Sequence, residues 1–142
     1  MSDAYTYEYE TEVVPSLIDA NGHVNNVEFV RWMQDAALRH ADATGCTSAT
    51  AEAGATWVVR AHQIEYLRPA LPADRVRVQT WVADYRRAFS TRRYRFSRPA
   101  DGTMLARGTT DWVFVDARSG RPRSIPEAIK GMFALPPPDW EP

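Results

Sequence analysis

Asp19-Ala20-Asn21-Gly22-His23-Val24-Asn25-Asn26 places a carboxylate, an imidazole and three amides within eight residues, immediately ahead of a helical pattern. Asp, Asn and Gly tolerate left-handed backbone and bond to nearby main chain, so Ser16 to Asn26 reads as a tight irregular turn. From Val27 to Ala43 the apolar residues Val27, Val30, Met33, Ala37 and Ala41 recur at spacings of three and four, which predicts a helix with one buried face. Asn25 or Asn26 supplies its cap, and Glu28 complements the dipole at its start.

Working outward, Tyr7 to Val14 carries aromatic and β-branched residues in partial alternation and stops at Pro15, as a first strand would. On the other side Thr44 to Ala55 is small and polar, and reads as a loop. Strand signals then dominate: Trp57 to Leu67, Arg75 to Tyr85, Phe89 to Ser97 and Met104 to Asp116. The segments between them, Pro69 to Asp74, Arg86 to Ala88 and Pro99 to Gly102, read as hairpin-like connections. Two of the strands exceed the usual length, which points to curvature or bulges. A short helix from Pro126 to Met132 and a proline-rich tail complete the order.

One strand, one long helix and four antiparallel strands give an α+β domain over residues 1–142, with one curved antiparallel sheet wrapped around one central helix. That arrangement leaves a sheet edge and a flank open, and pairing between copies of the chain would cover both.

Composition narrows the function classes. At 142 residues the chain suits one domain, and its 44% apolar and 25% charged content is that of a folded globular protein. Seventeen basic against eighteen acidic residues leave a net charge of -1, so no global field drives binding to nucleic acid. No run is long and apolar enough for a membrane span, and MSDAYTYEYE has neither the basic nor the apolar region of a secretory leader. Cys46 stands alone, which excludes an intramolecular disulfide. The expected address is the cytoplasm.

The chemistry of Asp19 to Asn26 follows from its position. N–H groups at a helix start are unsatisfied donors at positive potential, so an acyl carbonyl placed there is polarised and its oxyanion stabilised. A nearby carboxylate then attacks that carbonyl or activates water. The blander alternative is that Asp and Asn ahead of a helix serve only as caps and turn formers.

The string from Asp19 to Trp32, D-x-N-G-H-V-N-N-V-x-F-V-x-W, resembles the signature at the start of the central helix in the 4-hydroxybenzoyl-CoA thioesterase-like branch of the hotdog superfamily. It is also similar to the D-x-N-x-H-V-N-N segment of acyl-ACP thioesterases. Ile64 to Ala70 with Asp74-Arg75-Val76, then Asp111 to Asp116, Gly120-Arg121-Pro122 and Ile125-Pro126, extend the resemblance in order along essentially the whole chain. It implies a hotdog fold and a thioesterase acting on acyl-CoA or an acyl-carrier protein without a cofactor. It also implies a homodimer or homotetramer with sites shared between subunits. In residues, it implies Asp19 as nucleophile or general base, Asn21 and His23 as polar partners orienting substrate or water, and the backbone N–H of Asn26 as the donor to the carbonyl. The rival readings are a hotdog hydratase or dehydratase, and a module that binds acyl thioesters without turning them over.

Other residues carry weaker signals. Arg86, Arg87, Arg92, Arg93, Arg95 and Arg98 can grip CoA phosphates or simply form a solvated outer sheet face; Arg86 and Arg87, beside a turn, are the candidates for phosphate. Trp57, Trp112, Phe29 and Trp32 line an acyl pocket or belong to plain core. His62 and Glu65 fall on opposite strand faces by alternation and read as structural. Cys46 lacks a partnering His at a recognisable spacing and reads as structural. The three histidines, at 23, 40 and 62, have no ligand spacing, so no metal is expected.

Overall fold

Alternation with period two in the strands and period 3.6 in the helix brings the apolar residues onto facing surfaces. A computed structural model describes residues 4–142. In it β1 (Tyr7–Glu12) leads through one 3-10 turn (Pro15–Leu17) to α1 (Asn26–Thr44) and directly on to α2 (Cys46–Glu52). Then come β2 (Ala55–Tyr66), β3 (Arg75–Arg86), β4 (Phe89–Arg98), β5 (Thr103–Asp116) and α3 (Glu127–Lys130). All pairings are antiparallel, in the order β1-β3-β4-β5-β2. Register shifts between Val59 and Ala61, Val82 and Asp84, and Phe96 and Ser97 bend the long strands around the helix.

β3–β4 and β4–β5 are hairpins, closed at Arg86↔Phe89 and Arg98↔Thr103. The Pro69–Asp74 segment is not, contrary to its hairpin-like sequence. β2 pairs with β5 at the opposite edge from β1, so this segment crosses from the sheet edge to β3. Its carbonyls bond elsewhere, Ala70 O to Val24 N at 2.9 Å and Asp74 O to Val13 N at 2.8 Å, which docks it on the β1–α1 connection.

The face of α1 that meets the sheet is also rotated from the expected one. Phe29, Trp32, Met33, Ala36, Ala37 and His40 are buried, while Val27 is 54% exposed. The spacing is as read, but the larger aromatic residues take the inward positions, because they offer more apolar surface to the hollow of the sheet. Phe29 meets Trp32 and Phe96 edge-on at 5.0 and 5.2 Å, so both α1 aromatics are core. Burying Phe29 and Met33 contributes about 1.5–3 kcal/mol each. The helix approaches closely at Gly108, where an added Cβ would meet Gln63 O at 3.0 Å and Met33 Cε at 3.1 Å.

The loop expected over Thr44 to Ala55 is largely helix. The chain turns at Gly45 and restarts as α2, whose buried Cys46 and Thr50 stand one turn apart. Alanine is the strongest helix former, so a small-residue stretch with a buried i, i+4 pair folds as a short helix once tertiary contacts hold it.

Arg92 was the least expected placement. Tyr94 and Phe96 face the helix, so by alternation Arg92 does too, and it is buried while Arg93 is exposed. Its Nη1 donates to His40 Nδ1 at 2.9 Å and to Thr80 Oγ1 at 3.1 Å. Guanidinium has no acceptor, so Nδ1 must accept and His40 must be neutral. Burial and then the Arg92 charge push the His40 pKa down to about 3.

Two outcomes follow. Gly108→Val forces Met33 and α1 outward, and should lower stability by about 1–3 kcal/mol in denaturant titrations. The second concerns pH. Between the unfolded pKa of about 6.5 and the folded value of about 3, the unfolded chain binds a proton at His40 that the native chain refuses. Stability therefore falls as pH drops from 7 to 4.5, by about 2 kcal/mol from this group. His40→Gln, whose amide oxygen can accept from Arg92 without titrating, should show a shallower slope than the wild type, and an unchanged slope would contradict the assignment.

Candidate functional site

The Asp19 turn is built from main-chain bonds. Ile18 bridges Val24, Asp19 N donates to His23 O at 2.8 Å, and Gly22 N donates to Asp19 O at 3.1 Å. Gly22, at φ 77°, supplies the left-handed residue this closure requires. Buried Val24 anchors the loop beneath, and Asn25 N donates to Leu17 O at 2.9 Å. Three segments thus fix where the helix begins: the loop itself, the 3-10 turn and the β2–β3 crossover.

Asp19 is half-buried, and its Oδ1 accepts from Asn21 N at 2.9 Å and from His23 N at 3.4 Å. Among the described residues nothing donates to Oδ2. One carboxylate oxygen is therefore held by the turn while the other remains available. Asn21 and His23 are exposed and meet Asp19 through their N–H groups.

Asn25 is the cap, its Oδ1 accepting from Val27 N at 3.1 Å. That leaves Asn26 as the first helical residue, and among the described residues its N–H has no acceptor. The positive end of a five-turn helix is thus presented beside the carboxylate loop. Tyr66, at the end of edge strand β2, donates its hydroxyl to Asn26 O at 3.1 Å and packs edge-on against Phe29 at 5.5 Å. Sequence reasoning passed over Tyr66, since nothing local links a strand end to a helix start forty residues away.

Arg86 and Arg87 do not reach this loop within one chain. They sit at the far end of β3, whose twelve residues span about 36 Å of strand from the crossover that supports the loop. Arg86 is occupied by Asp84 at 3.4 Å, Asp111 at 3.8 Å and Thr91 Oγ1 at 2.9 Å. Arg87, with φ 51°, forms the exposed hairpin turn. Arg98 is committed to Asp74 and Asp101. Trp57 and Trp112 line a cavity of about 300 Å³ below α2, to which the Asp19 loop does not contribute.

His62 and Glu65 do face opposite ways. His62 Nδ1 lies 2.8 Å from Thr110 Oγ1 with its pKa lowered by burial, while Glu65 pairs with Arg107 at 3.2 Å on the outer face. Cys46 is buried, 3.7 Å from Thr50 Oγ1. Among the described residues no three His, Cys, Asp or Glu side chains gather as metal ligands, and no helix is long and apolar enough to cross a membrane.

Solved structures share this architecture. The 1,4-dihydroxy-2-naphthoyl-CoA thioesterase of Synechocystis superposes with a TM-score of 0.80 at 18% identity, over 89% of this chain and 94% of that one. A 4-hydroxybenzoyl-CoA thioesterase variant complexed with 4-hydroxybenzoyl-CoA gives 0.81 at 18% identity, over 92% and 100%. The 12:0-ACP thioesterase of Umbellularia californica gives 0.81 at 21% identity, over 89% of this chain and 49% of that one. At such identities the likeness shows the hotdog fold. No curated protein matches the sequence. The family model described as the thioesterase-like superfamily matches residues 13–133, most of the chain. The chain therefore belongs to the thioesterase-like superfamily and has the hotdog fold.

Proposed function

We propose that this chain hydrolyses an acyl-CoA or acyl-carrier thioester, with Asp19 as nucleophile or general base and the Asn26 N–H as the donor to the thioester carbonyl. Thioester hydrolysis is the class of chemistry that its superfamily carries. The observation that supports the residue roles is the pairing of a half-pinned carboxylate with an unaccepted N–H at the start of α1. A carbonyl oxygen on that N–H meets the helix dipole as negative charge develops, which lowers the barrier to addition. Asp19 then adds its free oxygen to the carbonyl carbon, or takes a proton from the water that adds. The C–S bond breaks, the thiolate leaves and is protonated to the thiol, and in the first route water hydrolyses the acyl anhydride on Asp19. His23 and Asn21, exposed beside it, orient the substrate or water. No cofactor enters this chemistry.

The loop is open in a single chain, β2 is an unpaired edge, and Val58 and Tyr66 on it are 44% and 43% exposed. A homodimer or homotetramer closes the site, and a second subunit is what brings Arg86 or Arg87 to the CoA phosphates. The chain acts as one domain over residues 1–142, and its buried thiol at Cys46 suits the cytoplasm.

Thiol release from aliphatic and aromatic acyl-CoAs tests this reading. Asp19→Asn should fold and lose about 10²–10⁴ in rate. Asn26→Pro is the sharper variant: proline is favoured at the first helical position and Asn25 already has the extended backbone that precedes it, so the helix survives while the N–H disappears. It should lose about 10²–10³ in turnover, whereas Asn26→Ala should lose little. Full activity in Asp19→Asn, or equal effects of the two Asn26 variants, would overturn the respective roles. Thiol release from no acyl-CoA or acyl-carrier substrate would leave a module that only binds.

A further inference from the structure

Arg92 is a cation at 5% exposure, and among the described residues no carboxylate pairs with it. Its two hydrogen bonds both leave from Nη1 and end on neutral atoms of His40 and Thr80. The Phe133 ring, centred 5.5 Å from its carbon, is a further source of negative potential. Buried charges are normally paired, because desolvating one alone is strongly unfavourable.

The same guanidinium borders the half-open cavity of about 300 Å³ between α1, α2 and the inner sheet face. Its walls are mostly apolar, with Ala37, Ala41 and Trp57 among them. Two further donors line it without an acceptor, Tyr85 Oη and Trp112 Nε1. Burial pushes the Tyr85 phenol up, so it stays protonated, and an indole can only donate. Of the hydroxyls on its wall, Ser90 donates to Asp84 O at 2.9 Å and Thr50 accepts from Trp57 Nε1 at 3.1 Å, while Tyr94 Oη, buried behind the wall beside Arg92 and Trp112, has no hydrogen-bond partner of its own. The cavity therefore has a surplus of donors and positive charge, an apolar interior, and no acidic side chain on its walls.

We infer that this cavity binds a small molecule with an apolar body and a carboxylate head, the carboxylate accepting from Arg92, Tyr85 and Trp112. An anionic acceptor supplies the missing counter-charge and satisfies both orphaned donors at once, while the body displaces water from apolar walls. A free organic acid and an acyl group ending in a carboxylate present the same chemistry. Within one chain the site lies at the other end of α1 from the Asp19 loop, and carboxylate binding is read without turnover; only the acyl-group source rests on the proposed hydrolysis.

The test is calorimetric titration of the full chain with octanoate, decanoate and 2-naphthoate, against octanol and methyl octanoate. The wild type should bind at least one carboxylate saturably, and the alcohol and ester at least tenfold more weakly. Arg92→Met, which keeps bulk and removes the unpaired charge, should weaken carboxylate binding at least tenfold. Ala41→Phe, which fills the cavity without touching the cation, should abolish it and carries the test if Arg92→Met does not fold. Thiol release from adipoyl-CoA against hexanoyl-CoA separates the sources. A preference for adipoyl-CoA that disappears in Arg92→Met assigns the carboxylate to the acyl group, and carboxylate binding without such a preference assigns the site to a free acid. No saturable binding of any carboxylate, or equal binding by Arg92→Met or by the alcohol, overturns the inference.

Discussion

Met33 seated on Gly108 is the contact on which the rest of the molecule depends. It holds α1 deep in the hollow of the sheet, so the helix axis is fixed by core packing rather than by surface contacts. Both proposed sites lie at one end or the other of that axis. At the N-terminal end the dipole and the first N–H meet the Asp19 turn, and at the C-terminal end α2 lies across the sheet to border a half-open cavity. A shift of the helix along its axis would displace both, which is why the turn before it is bonded to the 3-10 segment and to the crossover before β3.

The two ends manage polarity differently. At the Asp19 turn one carboxylate oxygen and one helix N–H are left without a partner among the described residues, beside the exposed side chains of Asn21 and His23. At the cavity the imbalance is buried, with a guanidinium held only by neutral groups. His40 is compelled to remain neutral to accept from it, and this links the stability of the fold to pH.

Much of the architecture was legible in the sequence, for identifiable reasons. The Asp19–Asn26 string has turn chemistry and a cap at fixed offsets from a periodic helix, so its shape follows from local rules, and Asn25 caps α1 as those rules require. The strands announced themselves by β-branched and aromatic content. What was hidden depended on tertiary choice. Val27 reads as buried because apolar spacing alone does not weigh Phe29 and Trp32 against it. Thr44 to Ala55 looked like loop because alanine and threonine make a helix only when Cys46 and Thr50 find a core to enter. The β2–β3 connection could not be told from a hairpin by its residues, since sheet order is set by which edges meet. Arg92 was in principle readable: it alternates with Tyr94 and Phe96, and a charge on the apolar face of a strand was the signal.

The central claim is that the start of α1 polarises a thioester carbonyl. Isotope-edited vibrational spectroscopy of an acyl-CoA bound to the Asp19→Asn variant measures that polarisation without turnover. The account predicts a carbonyl stretch at lower frequency than in free solution, returning toward the free value when Asn26→Pro is added. A bound carbonyl at its solution frequency with the N–H present would contradict it.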